Sequence, residues 1–272
     1  MFKISALFLS LCLSSLSSAD NCAIDEALPE ANIQLSETSA QSGTKIIAKF
    51  YSAEAVEAIP KLKPLSDKNP GFHKILFKLE GFPKNQEIVF EFKRPLLPNP
   101  QFQRVLTFTI NDDGSYRTDS GETHYYILGS SRGFYPGERI ISRFRAADGS
   151  VEQEISGIPQ PAIFRDSDNK IAMRAELLSL SPTVYTIDLP TMQEGEEYQL
   201  ISKSLTETTK SKPKFSSQAP LHYSPAPKTK AKGGIGTLTI KRTSGETYTL
   251  ALPWGTALEI YQQGAKNYPY HN

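Results

Sequence analysis

The chain has 272 residues, with 30 Lys and Arg against 29 Asp and Glu and a formal net charge of +1. A chain this neutral sets up no global field to draw in a polyanion, which argues against specific nucleic-acid binding. Only two cysteines are present, too few for a disulfide framework, so the core must hold by apolar packing, for which the chain is long enough.

The first 21 residues read MFKISALFLSLCLSSLSSADN. Lys3 is a short positive start, Ile4 to Leu16 an apolar run, and Ser17 and Ala19 are small residues spaced for cleavage before Asp20. Such a segment is too short to span a bilayer and has the form of a signal peptide over 1–19. It predicts a periplasmic or secreted protein with no transmembrane segment once the signal is removed. Cys12 leaves with the signal. Cys22 follows Asp20 and Asn21, which fit lipid-anchor processing poorly, and is expected to remain a free thiol. Residues 20–69 are expected to form an N-terminal extension, partly disordered, with a strand and a short helix. The helix is SAEAVEAIP (52–60), capped by Ser52 and stopped by Pro60.

From residue 70 the apolar period changes to two. FHKILFKLEG, QEIVFEFKR and RVLTFTIN each alternate apolar with polar residues, the mark of a half-buried strand. Asp113-Gly114 is a hairpin signal, and THYYIL follows as a further strand. Pro136-Gly137 makes a turn, ERIISRFRA a strand, Asp148-Gly149 a second hairpin and SVEQEI the return, before Pro159 and Pro161 stop the sheet. Short strands at this spacing predict a first β-sandwich over 70–160.

Residues 161–264 read as a second sandwich on the same plan. TVYTIDLPTMQEGEEYQLISKS parallels KILFKLEGFPKNQEIVFEFKR, and TIKRTSGETYTLALPWG parallels RFRAADGSVEQEISGIP. Two matches in the same order point to an internal duplication. NKIAMRAELLSLSP has helix-forming residues, but Ile171, Met173, Ala175 and Leu177 alternate, and a strand is predicted. Residues 205–234 break the pattern. Prolines, hydroxyl residues and lysines predict a long mobile basic loop, because so little apolar content offers little to offset the cost of ordering. Residues 265–272 form a tail. The fold expected is thus all-β, two tandem immunoglobulin-like antiparallel β-sandwiches with a short N-terminal extension.

Chemistry-bearing motifs are sparse. His73, His124, His222 and His271 share no short motif with one another or with Cys22, and no metal site is expected. No G-x-S-x-G elbow occurs, and LGSSRG (128–133) reads as a connecting loop. GGIG (233–236) precedes a strand rather than opening a helix, so it is no phosphate cradle. DSDNK (166–170) and NDDGS (111–115) lack the spacing of a calcium loop and read as turns. Neither a catalytic set nor a cofactor is expected.

Two groups point to binding. Lys210, Lys212, Lys214, Lys228, Lys230 and Lys232 stand against Glu207 alone over residues 207–232, enough local charge to hold an anionic polymer in a salt-dependent way. Tyr125, Tyr126, Phe134 and Tyr135 cluster with Arg132, the residue types favoured at recognition surfaces. The function expected is an exported, non-enzymatic binding, adhesion or envelope-scaffold protein whose partner is an anionic envelope polymer or an acidic protein. The plan is similar to that of bacterial envelope proteins built from such modules. Two alternatives stand beside it. One is a hydrolase acting on envelope polymers at the domain interface, through residues such as Asp119, His124 and Ser130. The other is a periplasmic chaperone-like binder that uses an exposed strand edge.

Overall fold

The computed structural model describes residues 43–51, 73–121, 123–124, 127–131 and 133–262. The signal segment, Cys22, the 52–60 helix, Tyr125, Tyr126, Arg132 and the tail lie outside them. The chain is all-β and divides into two compact units. Unit 1 runs to Arg132 and resumes over Ile140–Pro159; unit 2 takes Gly133–Arg139 and everything from Gln160.

Unit 1 contains β1 (Lys45–Tyr51), β2 (His73–Glu80), β3 (Glu87–Lys93), β4 (Gln103–Ile110), β5 (Tyr116–Thr118), β6 (Thr123–His124), β7 (Ile127–Ser131), β8 (Ile140–Ala146) and β9 (Glu152–Gly157). One sheet has the order β1-β2-β7 and the other β6-β5-β4-β3-β8-β9, with every pairing antiparallel. The alternating apolar residues of the two sheets meet face to face. Phe77 of β2, fully buried, sits edge-on to Phe90 of β3 at 5.2 Å and to Phe144 of β8 at 5.1 Å, while Phe90 and Phe144 stack at 4.7 Å. Such geometries add about 1 kcal/mol per pair to simple burial. Across the same interior, Leu79 N–H donates to the Tyr116 hydroxyl at 2.9 Å. Burial pushes that phenol above its ordinary pKa. The hairpin at Asp148-Gly149 forms between β8 and β9, with Ser150 N–H donating to the Asp148 carboxylate. β1, expected within an extension, is the outer strand of the smaller sheet.

Unit 2 contains β10 (Ala162–Arg165), β11 (Ile171–Leu180), β12 (Thr183–Asp188), β13 (Tyr198–Ser204), β14 (Glu207–Ser211), β15 (Leu221–Tyr223), β16 (Gly233–Arg242), β17 (Thr247–Gly255) and a closing helix, α1 (Thr256–Gln262). Its sheets are β10-β11-β12-β15 and β14-β13-β16-β17. Tyr185 of β12 is fully buried and donates to Pro253 O of β17 at 2.9 Å, and Phe164 of β10 lies 5.5 Å from Tyr248 of β17. These contacts join the two sheets.

The strand orders of the two units correspond in part. β1-β2-β7 corresponds to β11-β12-β15, and β4-β3-β8-β9 to β14-β13-β16-β17. β4 pairs with β3 and its counterpart β14 with β13, each on the sheet that also carries the last two strands of its unit, an immunoglobulin-like arrangement with that strand switched between sheets. Both pairs of parallel sequence segments fall on corresponding strands.

The expected loop 205–234 is a correction. β14 and β15 lie inside it, paired with β13 and β12 respectively. The neighbouring strands supply their hydrogen bonds, so an exposed edge strand such as β14 can form with almost no apolar content of its own.

Candidate functional site

Antiparallel strands return to the same level, so one end of unit 2 collects four separate stretches: the β11–β12 turn, the β13–β14 tip, the segment leading into β16, and the β17–α1 junction. Hydrogen bonds tie them together. Gly255 N–H donates to Thr183 Oγ1 at 3.2 Å, and Ser224 Oγ to Thr183 O at 3.0 Å. Lys228 N–H is shared by both oxygens of Glu207 at 3.1 and 3.2 Å, and Thr256 N–H donates to Lys232 O at 3.0 Å.

Glycine makes the last of these junctions possible. A Cβ on Gly255, at φ +56, would lie 2.1 Å from Lys232 O, and one on Gly233 would lie 2.4 Å from Thr256 N. GGIG is therefore a close-packing device between β16 and α1. Beneath it, Trp254 is 4 % exposed and Ser204 6 %, and neither Trp254 Nε1 nor Ser204 Oγ has a hydrogen-bond partner among the described residues.

The surface of this pole is basic and apolar together. Lys203, Lys228, Lys230 and Lys232 are exposed. So are Leu178, Leu205 and Ile260, at 43, 58 and 38 %, the large hydrophobic residues exposed among those described. Each arrives by a different local cause. Leu178 is the extra residue of a bulge, where the β11–β12 register shifts between Leu177 and Ser179. Leu205 stands at the two-residue tip between paired Ser204 and Glu207. Ile260 is on α1, whose Ala257 and Leu258 are buried.

The six lysines singled out in the sequence do not form one patch. Lys228, Lys230 and Lys232 belong to this pole. Lys210 lies on the edge strand β14, and Lys212 and Lys214 follow it towards the opposite end. There Lys214 pairs with Glu197 at 3.5 Å, both side chains being well exposed. A lysine on an edge strand also discourages pairing with another sheet. Lys203 was missed because it falls outside the lysine-rich run.

The aromatic group needs a correction as well. Phe134 and Tyr135 are 1 and 4 % exposed, so neither can act as a surface contact. Gly133–Arg139 packs as part of unit 2: Gly137 N–H donates to Gln160 O at 2.8 Å, Gly137 O accepts from Leu177 N–H at 2.9 Å, and Arg139 grips Glu176 through two nitrogens at 2.6 and 2.5 Å. Burial and backbone pairing both claim this stretch for the core.

A second cluster lies on the outer side of β3 and β8 in unit 1. Arg143 and Lys93 lie over the Phe102 ring at 3.8 and 4.4 Å. Glu91, 8 % exposed, takes Arg143 at 2.7 Å and Arg145 at 3.2 Å. Burial pushes the Glu91 carboxyl up, but the hydrogen bonds from Arg145 and Arg143 outweigh it and hold the group below the usual carboxylate range. Arg143 also meets Glu152 at 3.5 Å, so both guanidiniums are held by carboxylates, as in a structural network, while Lys93 stays on the Phe102 ring. His222, on β15, lies 3.3 Å from Thr186 Oγ1 on the surface. Among the described residues no group of three His, Cys, Asp or Glu is placed to hold a metal ion.

No family model and no curated protein matches the chain. Among solved structures it is similar to the chicken interferon gamma receptor alpha chain, at 11 % identity over 67 % of this chain and 92 % of that one. The TM-score is 0.21, too low to draw on. No helix among the described residues is long and apolar enough to cross a membrane.

Proposed function

We propose that the protein is an exported, non-enzymatic binding module of the periplasm or the secreted fraction, and that its binding surface is the basic loop pole of unit 2. One observation carries this reading: Lys203, Lys228, Lys230 and Lys232 are exposed on the turns at that end of unit 2, which hydrogen bonds pin to the sandwich. A surface of this sign attracts an anionic partner, with affinity that falls as salt rises.

The strand-edge alternative is less well supported. The edge strand β17 carries Pro253, which removes a ladder donor, and the edge strand β14 carries Lys210.

The test is a titration of the full chain with a soluble anionic polymer such as dextran sulfate, at low and high salt. Removing residues 207–232 would delete β14 and β15, so the comparison uses Lys228→Gln with Lys230→Gln and Lys232→Gln. Binding weakened by about tenfold or more in that variant supports the reading. Unchanged binding would place the surface elsewhere.

A further inference from the structure

We infer that the anionic partner of this pole is a lipid surface, and that Leu205 is the side chain that enters it. The inference rests on the pole being the binding surface, as proposed above. It starts from a local conflict between residue and backbone. Leu205 has φ +50, while Thr206, its partner in the two-residue turn, is not among the residues with positive φ. Positive φ at the first central residue alone is the signature of a type II′ turn, a position where glycine is preferred. Among the described residues the other non-glycine ones with positive φ are Asn85, Asn99 and Asn169, whose short polar side chains tolerate it. A leucine does not, and at 58 % exposure it recovers little by burial. Strain kept without a structural return is a pointer to function.

The surroundings select the partner. Protein interfaces favour aromatic residues and arginine and are poor in lysine, and leucine is seldom a hot spot. The pole has the reverse composition, with exposed lysines on its turns and exposed aliphatic residues at Leu178, Leu205 and Ile260. A wholly polar polyanion would gain from the lysines and nothing from an exposed leucine. An anionic bilayer interface uses both, taking aliphatic groups into the boundary between headgroup and acyl chain and drawing in cations. Each lysine near such a surface strengthens attachment about fivefold. The acids on hand are few: Glu207 already accepts the Lys228 N–H, and Glu259 stands on α1.

The experiment measures partition of the full chain onto vesicles of phosphatidylcholine with phosphatidylglycerol, against pure phosphatidylcholine, with dextran sulfate binding run in parallel. Leu205→Asn keeps a residue suited to the turn and removes the apolar group. It is expected to lower partition onto anionic vesicles about tenfold, leave dextran sulfate binding unchanged, and melt no lower than the parent. Lys228→Gln with Lys230→Gln is expected to lower both. Vesicle binding unaffected by Leu205→Asn overturns the inference, as does dextran sulfate binding without vesicle binding, which would leave the polyanion reading standing. A Leu205-dependent acidic protein partner in place of lipid would also overturn it. Binding to neither probe would remove both readings.

Discussion

Replacing Phe144 by alanine tests the architecture on which the pole is mounted. The ring is fully buried, stacks on Phe90 at 4.7 Å and meets Phe77 edge-on at 5.1 Å. Truncating a buried phenylalanine costs about 3–5 kcal/mol, and two aromatic partners put this site near the upper half, at about 4 kcal/mol. With a urea slope of about 2 kcal/mol per molar for a domain of this size, the midpoint should fall by about 2 M. The chain has a single tryptophan, Trp254, and it lies in the other unit. Urea unfolding followed by circular dichroism should therefore show the loss, while the Trp254 fluorescence transition should stay within about 0.5 kcal/mol of the parent. A cost below about 1.5 kcal/mol would refute the aromatic packing. An equal shift in tryptophan fluorescence would refute the separation of the two cores.

Other expectations concern unit 2. The Arg242 guanidinium hydrogen-bonds Glu196 at 2.6 and 2.8 Å and holds that carboxyl below its usual range, against the opposing effect of burial. A depressed carboxyl stabilises the fold above its unfolded pKa, and the gain is lost as pH falls through the folded value. Glu196→Gln should flatten the acid limb of the Trp254-monitored stability profile, and a parallel profile would contradict this. Gly255→Ala should cost about 2 kcal/mol or more, since it adds a side chain at positive φ against Lys232 O. Thermal melting reads this directly, and a neutral result would show that the β16–α1 junction yields.

Much of the fold could be read from the sequence because β alternation is local. FHKILFKLEG or ERIISRFRA declares its buried face without help from the rest of the chain, and Asp113-Gly114 or Asp148-Gly149 declares its turn. What could not be read depends on partners. β14 forms because β13 offers it a ladder, and its own residues are nearly all exposed. Gly133–Arg139 joins unit 2 through backbone bonds to Leu177 and Gln160, distant in sequence, which turned two expected surface aromatics into core residues. At the candidate site, the charge of Lys228, Lys230 and Lys232 was visible, but their separation from Lys210, Lys212 and Lys214 follows from strand direction. Leu205 was unreadable as a feature: a leucine between Ser204 and Thr206 gives no hint of a left-handed backbone.

Binding by unit 2 is proposed to run through its loop pole. Hydrogen exchange of the full chain with and without a saturating anionic ligand tests it most directly. Slowed exchange is expected at residues 203–207, 224–233 and 255–260, with the outer face around Phe102 and Arg143 unchanged. Protection centred on Phe102 and Arg143, with the pole exchanging as in the free protein, would contradict it.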